Sequence, residues 1–229
     1  MAIGHLLARF FEIFPEISLK NNIRYFLAFN RYVPRFISDT IPIKGYELNY
    51  KLKPGDVVVD AGAFTGDYTI FAAKKVGKLG RIIAFEPDKN NLKILAKNIK
   101  HEKLNNVVII PKALWSENTN LKLEKLNGLH SSISQIGSLN INVARLDDEL
   151  KKMNIKKVDF IKMDIEGAEI EAIKGAIHTL KRLKPQLAIA SYHLVKGKPT
   201  AVFLESFFKQ IGYNVKSDFP KHLTTYAWT

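Results

Sequence analysis

Short runs of apolar, often β-branched residues alternate along this chain with longer segments in which apolar residues recur every three or four positions. The short runs predict buried strands and the longer segments predict helices. Five strands are predicted, in KPGDVVVD, GRIIAFEP, NNVVIIPKAL, VDFIKMD and PQLAIASYH. Helices are predicted in GDYTIFAAKKVG, DKNNLKILAKNIKHEK, EGAEIEAIKGAIHTLKRL and TAVFLESFFKQIG, the first closed by Gly77 and the second capped by Asp88. This alternation predicts an α/β fold, with βαβ units and a doubly wound, mostly parallel sheet.

Three regions depart from the alternation. The first 43 residues read as helical pieces broken by prolines, so we expect an extension over 1–43 and the main domain over 44–229. Residues 115–140 contain short alternating patterns around HSSIS, which predict an inserted hairpin or loop over the sheet edge. The segments YNVKSDF and HLTTYAWT predict a final strand pair.

Chemically capable residues fall at the predicted strand ends. Asp60, Glu86, Ala113, Asp164 and His193 each lie at or just past the end of a strand. In doubly wound sheets, ligands bind outside the carboxyl ends of the strands. The sequence therefore predicts one ligand site at this edge.

The turn after the first strand narrows the choice of ligand. The turn contains Gly62 and Gly66 but lacks the closely spaced G-x-G pair that begins the dinucleotide-binding fingerprint. The negative charge of Asp60 would also repel the pyrophosphate of a dinucleotide. S-adenosylmethionine, with its positive amino group and sulfonium, suits that carboxylate. Glu86 follows Gly62 by a spacing that suits a carboxylate accepting hydrogen bonds from ribose hydroxyls. The alternatives are a helix N-cap for Asp60 and a surface acid for Glu86.

Composition adds a charge argument and excludes some chemistry. The net charge of +13 favours a polyanionic partner such as RNA or an acidic membrane, or else reflects a Lys-rich thermophile composition. The absence of cysteine excludes disulfides, thiolate metal sites and a cysteine nucleophile, and it favours a cytoplasmic location. Apolar residues at helical spacing in the first 14 residues predict a helix that packs on the main domain, contacts a membrane surface or covers the substrate.

The segments PGDVVVDAGAFTGDYTIFAAKKVG, GRIIAFEPDKNNLKILAKNI, VVIIPKALWSE, ARLDDEL and VDFIKMDIEGAEIEAIKGA resemble the FkbM family of S-adenosylmethionine-dependent methyltransferases. The resemblance covers roughly residues 44–228. It implies a class I methyltransferase (Rossmann-like) fold, whose seven-stranded sheet has helices on both faces and an antiparallel last strand. It also implies methyl transfer, commonly to a hydroxyl of a sugar, polyketide or lipid-like acceptor. Phe64 is a departure, since family members often have asparagine there.

Site residues follow from the resemblance by position. It implies that Asp164 faces the transferred methyl group. It also implies three groups of cofactor contacts. The turn around the methionine moiety comprises Asp60, Gly62, Ala63 and Gly66, and Glu86, next to Pro87, binds the ribose hydroxyls. Ala113 and Leu114 flank the adenine.

An alcohol acceptor also needs a general base. His193 is the predicted base because an unperturbed imidazole titrates near neutrality, with Asp164 ordering the site. Lys162 is a second catalytic candidate, or else an ion-pair partner of Asp164 or Glu166. No metal is predicted; a cation such as Mg²⁺, if bound, would use Asp164 and Glu166.

The predicted function is O-methylation of a hydroxyl on a sugar, glycolipid or other small molecule. The alternatives are an RNA methyltransferase, which the charge favours but which lacks a recognisable RNA-binding appendage, and a non-catalytic S-adenosylmethionine-binding module. The expected partner is thus a small-molecule, glycan or lipid-linked acceptor. The N-terminal helix permits peripheral membrane contact.

Overall fold

The computed structural model describes residues 42–126, 130–133, 139–195, 197–218 and 223–229. These residues belong to one compact unit, Ile41–Thr229. Nearly all of the expected 1–43 extension, including the amphipathic first 14 residues, lies outside the described part. The boundary at 43/44 and the role of the N-terminal helix stay predictions.

The described elements follow the predicted alternation. The helices are α1 Pro42–Tyr46, α2 Asp67–Val76, α3 Lys89–His101, α4 Leu146–Lys152, α5 Glu169–Lys174, α6 Ile177–Leu183 and α7 Thr200–Gln210. The strands are β1 Val57–Ala61, β2 Arg81–Phe85, β3 Val107–Ile110, β4 Ala113–Leu114, β5 Thr119–Leu126, β6 His130–Ile133, β7 Leu139–Ala144, β8 Phe160–Met163, β9 Gln186–Ala190, β10 Leu194–Val195, β11 Lys198–Pro199, β12 Asn214–Asp218 and β13 Thr224–Trp228.

Within the described residues, seven strands form the main sheet in the order β12-β13-β9-β8-β1-β2-β3. The central pairs β1–β2, β1–β8, β2–β3 and β8–β9 are all parallel. The last strand, β13, pairs antiparallel with both β9 and β12. The predicted doubly wound α/β sheet with an antiparallel last strand is therefore confirmed.

The sheet is buried on both faces, and apart from Asp60 in β1 and Lys162 in β8 the residues of these two central strands are apolar. In β1, Val59 and Ala61 pack into one core cluster, while Val58, the residue before Val59, packs into the cluster on the opposite face. Alternate side chains of a strand point to opposite faces, so a strand with apolar residues on both faces is suited to a sheet covered by helices on both sides. Asp88 caps α3 as predicted, since its side chain accepts hydrogen bonds from the amides of Asn90 and Asn91.

The predicted third strand is divided in the structure. Val107–Ile110 joins the main sheet as β3, whereas Ala113–Leu114 turns away as β4 and pairs with β7. The described part of the insertion forms a second sheet, in the order β4-β7-β5-β6. The predicted inserted hairpin is confirmed in its β5–β6 and β5–β7 antiparallel pairs, and its alternating pattern fits a sheet with one covered face.

The prediction of one long helix after β8 is wrong. The segment forms α5 and α6, separated by Gly175 and Ala176. A Cβ atom at Gly175 would lie 2.0 Å from the carbonyl oxygen of Trp115, so the backbone of the second sheet approaches too closely for any other residue. Within the described residues, no helix is both long and apolar enough to cross a bilayer.

Candidate active site

The carboxyl edge of the main sheet brings together most of the predicted site. Asp60 is the next-to-last residue of β1, Glu86 directly follows β2, and Asp164 directly follows β8. His193 lies three residues beyond β9. Because these four strands are parallel, all four side chains lie at one edge of the sheet, as predicted.

The glycine turn lies against the end of β8. Gly62 adopts a φ of +80°, and a Cβ atom there would lie 1.9 Å from the carbonyl oxygen of Asp164. Gly66 adopts a φ of +103°, and its Cβ would lie 2.6 Å from Leu95 of α3. Both positions need glycine for its conformational freedom and for the absence of a side chain. The turn is thus held closely between β8 and α3.

Backbone amides fix the same turn to β2. The amides of Gly62 and Ala63 both donate to the Phe85 carbonyl, at 3.1 and 2.9 Å. Phe64 takes a left-handed φ of +50°, a conformation that asparagine adopts more readily than phenylalanine. The turn accommodates Phe64 all the same, and the ring is 39% exposed at its surface.

Glu86 is buried, and protein donors orient its carboxylate. Oε2 accepts from the Phe64 amide at 2.8 Å, and Oε1 accepts from the Asp88 amide and the Asn91 side chain at 2.9 and 3.2 Å. Burial raises the pKa of Glu86 although these hydrogen bonds oppose the shift. A carboxylate offers about four acceptor sites, so Oε2 keeps capacity for one further donor such as a hydroxyl.

Asp60 and Lys162 form a buried ion pair beneath the turn. Lys162 Nζ lies 3.0 Å from Asp60 Oδ1, and it donates to the Gly62 carbonyl at 2.8 Å. The other Asp60 oxygen accepts from the Thr69 hydroxyl at 2.6 Å. Sequence reasoning offered Asp164 or Glu166 as ion-pair partners of Lys162; that was wrong, because β1 and β8 pair Asp60 directly with Lys162.

Asp164 is held by Tyr46. Its Oδ2 accepts from the Tyr46 hydroxyl of α1 at 2.8 Å, whereas its buried Oδ1 has no hydrogen-bond donor among the described residues. Burial raises the pKa of Tyr46 well above its ordinary value, and the charge of Asp164 adds to that effect. Tyr46 therefore stays a hydrogen-bond donor to Asp164.

His193 lies between two carboxylates. Its Nε2 is 3.3 Å from Glu166 Oε2 and its Nδ1 is 3.0 Å from Glu169 Oε1. Burial lowers the pKa of His193, but Glu166 and Glu169 more than reverse this and raise the pKa to about 10. The two acids thus favour the imidazolium, which has no free nitrogen lone pair with which to accept a proton, and this argues against His193 as the general base.

Together, Asp164, Glu166, Glu169 and His193 form what we call the acidic cluster. One candidate ligand atom from each of Asp164, Glu166 and His193 lies within 4.8 Å of the others. Sequence analysis named Asp164 and Glu166 as the acids that a cation would use. The structure adds His193 to them, so the predicted base and the alternative cation site occupy one place.

The remaining residues predicted to contact the cofactor or cover the site are Pro87, Ala113, Leu114 and the segment HSSIS. Leu114 is buried in the main core, while its neighbour Ala113 is half-buried against the second sheet. Pro87 is half-buried beside Glu86. In HSSIS, the backbone of His130–Ile133 forms β6, and the side chains lie outside the described part of the chain.

Sequence reasoning missed three side chains that hold this site. They are Tyr46, Thr69 and Glu169, which contact Asp164, Asp60 and His193 respectively. Glu169 stands inside the family-like segment VDFIKMDIEGAEIEAIKGA, so its position was available from the sequence but its role was not. For Tyr46 and Thr69 the sequence offers no local motif.

Comparison with known proteins agrees with this arrangement. The family model described as "Methyltransferase FkbM domain" matches residues 60–215. The probable cobalt-precorrin-6B C(15)-methyltransferase (decarboxylating) of Sulfurisphaera tokodaii is 27% identical over 152 residues, 66% of this chain and 73% of that protein. The hexuronic acid methyltransferase AglP of Haloferax volcanii is 26% identical over 130 residues, 55% of this chain and 52% of that protein. A crystal structure of methyltransferase FkbM from Methylobacillus flagellatus has a TM-score of 0.64 at 21% identity, covering 82% of this chain; the chain spans about half (48%) of that protein.

Proposed function

Since the chain belongs to the methyltransferase FkbM domain family, whose members transfer methyl groups from S-adenosylmethionine, we propose that it methylates a hydroxyl oxygen of a sugar or lipid-linked glycan. The observation on which the proposal rests is the acidic cluster at the carboxyl edge of the sheet, where Asp164 presents a buried oxygen to which no described residue donates a hydrogen bond.

The residues at this edge fit the methyl donor. Gly62 and Gly66 keep the turn free of side chains, so backbone groups can approach a ligand closely. Glu86 keeps an acceptor site for a ribose hydroxyl. S-adenosylmethionine supplies an electrophilic methyl group on a sulfonium sulfur, which becomes a neutral thioether when an acceptor oxygen takes the methyl.

Asp60 and Lys162 serve as positioning residues in this proposal. Asp60 is fully buried and Lys162 nearly so, and Lys162 holds the Gly62 carbonyl from below. The pair therefore fixes the backbone that would surround the methionine moiety. Lys162 is not available as a base because its ammonium group donates to Gly62 and pairs with Asp60.

The acceptor end favours a hydroxyl-bearing substrate. The carboxylates of the acidic cluster accept hydrogen bonds when ionised, so the acceptor has to bring donors. Hydroxyl groups of a sugar supply them, and a carboxylate can also take the proton that an alcohol loses on methylation. AglP, a relative named for a hexuronic acid, supports a sugar acceptor.

The same charges argue against the RNA alternative. Asp164, Glu166 and Glu169 gather at the edge where the acceptor must enter. An RNA backbone brings a phosphate for every nucleotide, and affinity for it comes from cations placed at the contact. The net charge of +13 is a total over the whole chain, so it does not by itself indicate cations at this edge.

The test is methyl transfer from radiolabelled S-adenosylmethionine to separate glycan, glycolipid and RNA fractions. We expect label in a carbohydrate fraction, in a linkage that resists mild alkali because it is an ether. Asp164→Asn should lose most transfer, while Asp148→Asn, a change at a half-buried acid on α4, should retain it. Label in RNA alone, or label released by mild alkali as from an ester, would refute the proposal.

A further inference from the structure

Three side chains of the acidic cluster converge from two separate loops. Asp164 and Glu166 come from the loop between β8 and α5, and His193 comes from the segment after β9. Their candidate ligand atoms lie within 4.8 Å of one another. Two carboxylate oxygens and one imidazole nitrogen, which releases its proton when it binds, are ligands that a divalent cation of the Mn²⁺ or Mg²⁺ class accepts.

The spacing suits neighbouring ligands of one cation. In an octahedral site with bonds of about 2.1 Å, adjacent ligand atoms are about 3 Å apart. His193 Nε2 and Glu166 Oε2 are 3.3 Å apart. Each can thus reach a common cation with a small movement.

Glu169 supplies the outer support that a histidine ligand needs. Metal-bound histidines commonly donate the other ring N–H to a carboxylate, which fixes the orientation of the ring. Glu169 Oε1 lies 3.0 Å from His193 Nδ1 on the side away from Glu166. Glu169 is fully buried, and the amides of Ile165 and Gly167 donate to the same oxygen. The ring is therefore oriented with Nε2 towards Glu166.

Unpartnered buried atoms give an independent indication of a ligand. The side chain of His193 is 10% exposed, and its ring nitrogens, although 3.3 and 3.0 Å from Glu166 and Glu169, make no well-aligned hydrogen bond among the described residues. Asp164 Oδ1 is buried without a donor as well. Buried polar atoms without hydrogen-bond partners are rare in folded proteins, and here both belong to residues of the group that could hold a cation.

We propose that Asp164, Glu166 and His193 bind one divalent cation, with Glu169 as the outer support of the histidine. Such a site would leave about three of six positions for other oxygen ligands. Given the proposed function, one of these is the acceptor hydroxyl, which coordination acidifies so that its proton leaves more readily. The cation would also compensate the excess of carboxylates at this edge.

The binding test uses the full chain, stripped with EDTA, and Mn²⁺ followed by electron paramagnetic resonance, in which binding removes the signal of the free ion. We expect one Mn²⁺ per chain in the parent. Glu166→Gln and His193→Gln should each weaken binding at least about tenfold. Glu171→Gln is the matched control, because its side chain is 29% exposed against 30% for Glu166 and it pairs with Lys174 on the surface of α5.

Circular dichroism and S-adenosylmethionine calorimetry check that each variant folds, and Asp164→Asn replaces any variant that does not. Absence of Mn²⁺ binding to the parent, or equal binding by all variants, overturns the cation site. Because this assay contains no acceptor, it is independent of the proposed function. A chain that binds Mn²⁺ through these residues but methylates no glycan keeps the cation site and loses the proposed function.

Discussion

Replacing Gly62 by alanine tests whether the glycine turn depends on its contact with β8. The added Cβ would lie 1.9 Å from the Asp164 carbonyl oxygen, whereas ordinary contact begins at 3.4 Å. The backbone of one strand end must therefore move by more than about 1 Å, and overpacking of this kind costs about 1–3 kcal/mol. The φ of +80° adds about 1–2 kcal/mol for a residue with a Cβ. We expect a total loss of about 2–5 kcal/mol in the free energy of unfolding.

Gly212 provides the control. It has nearly the same φ, +83°, but a Cβ there would meet nothing within 4 Å. Gly212→Ala should therefore lose only the conformational part, about 1–2 kcal/mol. Urea unfolding of the two variants isolates the clash as their difference. Calorimetry should show weaker S-adenosylmethionine binding for Gly62→Ala alone. Equal stability losses, or unchanged affinity in Gly62→Ala, would refute the claim that this contact shapes the turn.

Three further predictions concern the same edge of the sheet. Burial raises the pKa of Glu86, so its carboxylate is protonated at a higher pH than that of an ordinary glutamate, and S-adenosylmethionine affinity measured by calorimetry should begin to decline at that higher pH. Glu86→Gln should bind S-adenosylmethionine weakly at neutral pH, and the difference in affinity between this variant and the parent should shrink as the pH falls. Lys162→Met should cost about 3–5 kcal/mol in urea unfolding because it leaves Asp60 buried and unpaired, and Asp60→Asn in the same chain should recover part of that loss. Asp88→Ala should cost about 1 kcal/mol by the same measurement, since α3 loses its N-cap; no loss would mean that solvent replaces the cap.

The sequence predicted the elements whose cause is local. The apolar run of β1 and the cap at Asp88 are both readable within a few residues, because side-chain periodicity and capping act over that distance. The carboxyl-edge location of Asp60, Glu86 and Asp164 followed from the topology of parallel strands.

The failures have causes that are distant along the chain. The break between α5 and α6 coincides with Gly175, where the carbonyl of Trp115 leaves no room for a side chain, and no pattern around Gly175 contains that information. The imidazolium character of His193 depends on Glu166 and Glu169, which reach it from a different loop. Lys162 was given the wrong ion-pair partners because strand register, which sets it opposite Asp60, is not encoded in one strand alone.

That cross-strand pair also has a consequence for how the sheet assembles. Strands buried on both faces offer nearly uniform apolar surfaces, so hydrophobic pattern alone discriminates poorly between neighbouring alignments of β1 and β8. In the native alignment Asp60 lies directly opposite Lys162. A slip by one residue would send the two side chains to opposite faces and bury each charge alone. The ion pair therefore stabilises the native register of β1 and β8 relative to shifted registers during folding. This matters because parallel strand pairing forms slowly, so a wrong register would otherwise persist.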